Sequence, residues 1–168
     1  MEMNEILVEK VVVNMGVGAD PDKMKKSEKV IKEITGKTPV KTKSTKRVPD
    51  WGLRIGVDIG LKVTLRGPAA ADFLKKAFIA RENKLNKKSF DKEGNFGFGI
   101  REHIELPGVK YDPKLGILGL DVLVTLKKRG YRVKQRKIKK TIVGQRQRIK
   151  IDEAIKFVEA MGVEVAWV

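Results

Sequence analysis

The stretch Val57-Asp-Ile-Gly-Leu-Lys-Val-Thr-Leu-Arg66 alternates at every position. Val57, Ile59, Leu61, Val63 and Leu65 fall on one side; Asp58, Gly60, Lys62, Thr64 and Arg66 fall on the other. A period of two belongs to a β-strand, and a clean apolar/polar split belongs to a strand with one face buried and one wet. Two further stretches repeat the pattern. Residues 95–106 set Phe96, Phe98, Ile100, Ile104 and Leu106 against Asn95, Gly97, Gly99, Arg101, His103 and Glu105. Glu102 lands on the apolar side there, which calls for an edge position or a partner. Residues 117–127 turn Leu118, Leu120, Val122, Val124 and Leu126 inward and Asp121, Thr125 and Lys127 outward. The run ILVEKVVVNM at 6–15 reads as a first strand, 38–44 as a short extended piece and 163–168 as a terminal strand. Strands with one polar face imply antiparallel pairing.

Helix signals lie between these strands. Asp20 is placed to cap a helix that has Pro21 at its first position, an apolar stripe of Met24, Ser27, Val30, Ile31 and Ile34, and Gly36 as its stop. Gly67-Pro68 opens a second helix with Ala70, Phe73, Leu74, Ala77 and Phe78 inward. Asp152 caps a third, with Ala154, Phe157, Val158 and Met161 inward and Gly162 as its end. Residues 45–56, 82–93 and 107–116 read as loops. The expected fold is α+β: an antiparallel sheet with helices packed on one face and the other face open. No internal repeat or second core appears, so 1–168 is expected to form one domain. The open side carries Lys62, Thr64, Arg66, Arg101, His103, Thr125 and Lys127. Each can donate to phosphate or sugar; the alternative is an ordinary solvated sheet face.

Charge favours the first reading. The 168 residues hold 37 Lys+Arg against 21 Asp+Glu, a net of +16. Residues 127–150 (KKRGYRVKQRKIKKTIVGQRQRIK) contain twelve of those cations and no acid. Lys37, Lys41, Lys43, Lys46 and Arg47 form a second cluster with no acid before Asp50. Solvated surfaces, including the charge-rich ones of proteins from hot environments, interleave both signs. An unbroken basic block self-repels unless an anion neutralises it, which points to nucleic acid. Only 6% of residues are aromatic, too few for broad base-stacking surfaces.

Other classes fall away. With no cysteine there is no disulfide framework, thiol nucleophile or Cys-ligated metal. One histidine cannot build a multi-His metal site. No apolar run approaches the ~20 residues of a membrane span. The start, Met-Glu-Met-Asn-Glu, lacks a signal-peptide pattern, so a cytoplasmic protein without a membrane partner is expected. Gly16-Val-Gly18 is followed by Pro21 where a dinucleotide fingerprint needs glycine, and Gly94-Asn-Phe-Gly97-Phe-Gly99 lacks the Lys-Ser/Thr of a phosphate loop. Its glycines suit a bulge or a close approach of another backbone. Asp20 and Asp22 read as a cap with a first-turn acid rather than metal ligands. His103 reads as an exposed donor, and no nucleophile, base and orienter come together. Neither catalysis, metal nor cofactor is expected. The alternatives are a small RNA-processing enzyme using His103 and a general basic nucleic-acid-binding module.

Six segments together resemble one family. They are Lys10-Val-Val-Val-Asn-Met-Gly16-Val-Gly18, Ile34-Thr-Gly36-Lys-Thr-Pro39, Gly60-Leu-Lys-Val-Thr64-Leu-Arg66-Gly67, Gly94-Asn-Phe-Gly-Phe-Gly-Ile100-Arg-Glu-His103, Tyr111-Asp112-Pro113 and Gly116-Ile-Leu-Gly119-Leu-Asp121-Val. In order and spacing they resemble large-subunit ribosomal protein five, the family that binds 5S ribosomal RNA. The likeness spans about residues 5–165. Block 129–144 resembles the archaeal and eukaryotic branch, as does the lack of the bacterial N-terminal helix.

The resemblance implies a structural role in the central protuberance of the cytoplasmic large ribosomal subunit, with 5S rRNA on the open sheet face and further contact to large-subunit rRNA. The family's asparagine after the first strand falls on Asn14 and its V-T-L-R threonine on Thr64. Lys37 stands where many members carry glutamine, keeping a donor and losing an acceptor. The family loop that reaches peptidyl-site tRNA corresponds to Ser44–Gly56, with Lys46, Arg47 and Trp51 as contacts. Trp51 either stacks on a base or ribose or anchors the loop on the core. A small-subunit ribosomal protein is a further implied partner. The expected rRNA-binding set is Asn14, Lys37, Lys41, Lys43, Lys62, Thr64, Arg66, Arg101, His103, Lys127, Arg132, Lys134 and Arg136. The basic segment 127–150 is expected to be an extension, ordering in part on rRNA.

Overall fold

Strand β1 (Ile6–Gly16) runs down the middle of the molecule, built on the β-branched run Val11-Val12-Val13. In the computed structural model, which describes residues 3–166, it pairs antiparallel with β3 (Asp58–Leu65) on one side and β6 (Leu120–Lys128) on the other. Strands β2 (Val40–Lys43) and β5 (Phe96–Ile100) complete a five-stranded antiparallel sheet in the order β2-β3-β1-β6-β5. The helices are α1 (Pro21–Thr35), α2 (Pro68–Ala80), the short α3 (Arg132–Gln135) and α4 (Ile151–Glu159). Strands β4 (Lys84–Asn86) and β7 (Glu164–Ala166) form a separate parallel pair. The fold is therefore α+β, as the alternation implied.

Register explains the core. Val11, Val13 and Met15 lie opposite Leu65, Val63 and Leu61 on β3, and Val11 and Val13 lie opposite Val124 and Val122 on β6. Directly paired residues share a face, and all of these are buried. Met24, Val30 and Ile31 of α1, Phe73, Leu74, Ala77 and Phe78 of α2, and Ala154, Ile155 and Val158 of α4 bury against the same cluster. Phe78 stacks on Phe98 and Phe96 of β5 with ring centroids 5.7 and 6.3 Å apart. Each such ring contributes roughly 1.5–3 kcal/mol by burial.

The first helix begins and ends, and the second begins, where the sequence signals put them. The Asp20 carboxylate accepts the N–H groups of Asp22 and Lys23 at 3.0 and 3.4 Å, and Gly36 closes α1 in the left-handed region at φ 66°. Three expectations need correction. Residues 82–93 are not wholly irregular, because Lys84–Asn86 pairs with β7. Helix α4 is capped at Lys150, whose N–H is accepted by Glu153; Asp152 sits inside the first turn. The strand expected over 95–106 ends at Ile100, after which the backbone turns through His103–Glu105. Trp167 and Val168 of the expected terminal strand lie outside the described residues.

The basic segment is fastened at both ends. Lys128, on the covered face of β6, buries its ammonium 2.7 Å from the Glu153 carboxylate of α4. That hydrogen bond holds the Glu153 carboxyl below its ordinary range. Arg129 pairs with Glu5 at 2.7 Å. The Tyr131 hydroxyl donates to the Gln147 carbonyl at 3.1 Å, so the chain leaving β6 and the chain entering α4 are tied together. Burial pushes the Tyr131 phenol above its ordinary value. Ile149 is buried beside Gly94 and completes the return.

Gly60 marks a point where the sheet tolerates no side chain. A Cβ there would lie 2.8 Å from the Met15 carbonyl and 2.9 Å from the Thr42 hydroxyl. Gly60→Val should destabilise the fold by about 1–3 kcal/mol, lowering the melting temperature by roughly 2–4 °C per kcal/mol. Thermal unfolding followed by circular dichroism measures this.

The Lys128–Glu153 pair predicts a pH dependence. A carboxyl depressed in the fold contributes stability that is present above its unfolded value, 4.5, and is lost as pH falls through the folded value. Glu153→Gln should lower stability at pH 7, with the gap from wild type narrowing below about pH 4.5. Urea unfolding at pH 7 and pH 3 checks the sign.

Candidate nucleic-acid interface

The face of the sheet opposite the helices is described by its register. Val40, Lys62, Asn14, Asp121 and Gly99 lie in one row across β2, β3, β1, β6 and β5. Thr64, Val12, Leu123 and Gly97 form the next. Lys10 and Thr125 pair beyond that. Lys62 and Thr64 are exposed, while Asn14 on the central strand is half-buried.

The first row has a defined hydrogen-bonding sequence. The Lys62 ammonium donates, the Asn14 amide can donate and accept, and the Asp121 carboxylate accepts. A phosphate-only surface would exclude that carboxylate. Apolar area lies beside the row, with Leu123 49% exposed. The two glycines on β5 make room for the β6 side chains. A Cβ on Gly97 would meet Leu123 at 2.7 Å, and one on Gly99 would meet the Asp121 carboxylate at 3.4 Å. The nearest neighbour of each is a side chain, with the β6 backbone also close to Gly97 at the Val122 carbonyl, 3.4 Å away.

The remaining expected residues divide. Arg101 is exposed just past the end of β5 and lines a cleft there with Gly99 and Asp121. Lys127 is half-buried on the bare face, opposite Leu7. Arg66 is exposed, with Nη1 4.0 Å from Glu9, the residue at the β1 bulge. Lys37 and Lys43 are exposed at the β2 edge. Lys41 pairs with Leu61 and therefore points toward the helix side, away from the Lys62 row. Arg132, Lys134 and Arg136 are exposed on and just beyond α3. Thr42, opposite Gly60, and Val40 sit on the bare face and were missed. Alternation about Lys41 was the signal for them, while the bulge between Thr42 and Lys43 was not readable.

His103 is a correction. The residue is only 2% exposed. Its backbone N–H donates to the Leu118 carbonyl at 3.0 Å, and its ring Nδ1 accepts the Leu118 N–H at 3.3 Å. These two bonds clip the ends of loop 104–117 together. The alternation that put His103 outside stops at Ile100, and an RNA-processing enzyme using this imidazole loses its accessible base.

The loop Ser44–Gly56 is internally braced. Ser44 is buried, donates its N–H to the Val57 carbonyl at 2.8 Å, and donates its hydroxyl to the Lys46 carbonyl at 2.7 Å. Val48 bridges Leu53 across the Pro49–Trp51 turn. The tip presents Trp51 at 75% exposure, with Lys46, Arg47 and Ile55 also exposed. Trp51 is therefore no anchor on the core. Among the described residues, no group of three metal-ligating side chains could hold a metal ion, and no helix is long and apolar enough to cross a membrane.

Comparison with known proteins agrees with this architecture. The family model described as "Ribosomal protein L5" matches residues 2–54, and the model for the C-terminus of the same ribosomal family matches 58–161. The Large ribosomal subunit protein uL5 of Pyrobaculum aerophilum is 48% identical over 97% of this chain and 92% of its own length. That of Nanoarchaeum equitans is 47% identical over 97% of each chain. That of Methanococcus maripaludis is 47% identical over 94% of this chain and 89% of its own. With both halves of the sheet matched and nearly the whole length aligned, the chain belongs to the ribosomal protein L5 family, a non-enzymatic family of the large ribosomal subunit.

Proposed function

We propose that this structural protein of the large ribosomal subunit binds 5S rRNA through its bare sheet face and helps attach it in the central protuberance. The row Lys62, Asn14 and Asp121 carries the reading. Its donor, mixed and acceptor groups suit 2′-hydroxyls and base edges, which RNA presents at loops and across its wide minor groove. Thr64 adds a hydroxyl, and Leu123 and Val12 give apolar area for ribose or base faces. Lys37, Lys43, Lys62, Arg66, Arg101 and Lys127 supply affinity through counterion release. His103 contributes by holding the 104–117 loop, and Lys41 by charge at the sheet edge. In this reading residues 1–168 act as one unit. The segment 127–150 is its extension, adding Arg132, Lys134 and Arg136 toward large-subunit rRNA.

The braced loop with Trp51 at its tip is the proposed contact to peptidyl-site tRNA, with Lys46 and Arg47 on the phosphates. An exposed indole on a rigid turn has little ordering entropy left to lose when it stacks. A small-subunit ribosomal protein is the proposed neighbour across the subunit interface.

Asn14→Ala and Thr64→Ala should each weaken 5S rRNA binding, by about 1 kcal/mol or roughly fivefold, with unchanged melting temperature. Normal binding of both in a filter assay would remove the sheet face from the site. If about six phosphates are neutralised, log K should fall with log salt at a slope of about −4 to −5; a slope near −1 contradicts the assignment.

A further inference from the structure

A groove of about 800 Å³ separates the bare face from the folded-back basic segment. One wall is the sheet, with Lys10, Arg66 and Thr125; the other is the segment, with Tyr131, Lys134, Lys140 and Ile142. We propose that this groove is a second RNA site, one that takes an unpaired, extruded nucleotide and its flanking phosphates. The inference rests on the reading of the chain as an RNA binder and adds a site separate from the Asn14 row. Lys10 and Asn14 lie four residues apart on β1, about 13 Å at strand spacing.

Three observations fix the ligand class. The first is charge. Two acids line the groove, Glu9 and Glu93, against Lys10, Arg66, Lys134, Lys140 and Arg148; Glu9 is already engaged, for its side chain is 14% exposed, accepts the Gln135 amide at 2.6 Å and lies 4.0 Å from Arg66. Lys10, Lys134 and Lys140 have no carboxylate within 4.0 Å among the described residues. Cations thus face each other across a gap, and a polyanion entering it relieves their repulsion. The second is the mixed lining. Ile142 stands 83% exposed on a segment otherwise rich in charge, and the Tyr131 ring lies at the same groove. An aliphatic side chain and an aromatic ring suit the flat face of a base, which a paired base keeps within its stack. The third is preorganisation. The Gln135–Glu9 and Tyr131–Gln147 hydrogen bonds hold the segment at a set distance from the sheet, so the gap exists before a ligand arrives. Its volume falls within the usual range of ligand pockets.

The test uses the full chain and two labelled probes, fluorescein-decauridylate and a twelve-base-pair RNA duplex, followed by anisotropy at 150 mM salt. Decauridylate should bind more tightly than the duplex. Lys134→Glu combined with Lys140→Glu should weaken decauridylate at least tenfold. Ile142→Ser, at an exposed position, should weaken it about threefold with unchanged melting temperature. If the charge pair and Ile142→Ser both bind decauridylate like wild type, the groove is not a site. If the duplex binds as tightly and responds to the same variants, the ligand class is wrong. The two readings fail separately: normal 5S rRNA binding by Asn14→Ala and Thr64→Ala, with the groove variants still losing decauridylate, overturns the sheet face alone.

Discussion

The central strand must hold its register against both neighbours, and most of the molecule follows from that. Val11, Val13 and Met15 face the helices because they sit opposite apolar residues of β3 and β6, and Asn14 faces outward between Lys62 and Asp121 for the same reason. A slip of one residue would reverse every side chain. The buried valines and leucines on each flanking strand then make such a slip prohibitive, since each exposed apolar side chain forfeits roughly 1.5–3 kcal/mol. The position of the polar row is thus set by the core behind it. The bulge at Glu9 breaks the β1–β6 register five residues from Asn14, where the groove begins and the basic segment crosses toward the sheet.

The basic segment faces the opposite difficulty. Twelve cations in 24 residues favour an expanded chain. The structure offsets this with ties placed at its ends and one in its middle. Lys128 is neutralised by Glu153 and Arg129 by Glu5, and Gln135 reaches Glu9. The Tyr131 tie uses a neutral phenol, whose titration burial pushes further above its ordinary value. Among the described residues, the cations toward the tip have no carboxylate partners, so folding the segment back does not spend the charge that an anion would need.

Legibility in the sequence followed the length scale of the interaction. Strand alternation and helix caps are local: the strand expected over 57–66 and the helices opening at Pro21 and Pro68 form as their patterns imply, and the strand expected over 117–127 forms from Leu120 onward. His103 failed because alternation cannot register where a strand ends; the deciding partner, Leu118, is fifteen residues away. The sequence assigns no faces to the short piece 38–44, and it is the pairing of Lys41 with Leu61 on β3 that turns Lys41 toward the helix side. Asp121 was read as outward, but its place beside Asn14 needed the register between strands. The groove could not be read at all, since its walls come from residues 10 and 66 on one side and 131–142 on the other.

The chemistry of the bare face separates attraction from recognition. Lysines and arginines around its rim and on the segment draw any polyanion, and their effect weakens with salt. Asn14, Thr64 and Asp121 add little to that field, and Asp121 opposes it. A carboxylate is tolerable there only if the docked partner brings donors to it, as guanine, cytosine and adenine edges or 2′-hydroxyls do. Its place in the centre of a basic face therefore favours partners that can satisfy it over those offering phosphate alone. On the proposed reading the surrounding charge raises affinity for all nucleic acids, and the small polar row discriminates among them.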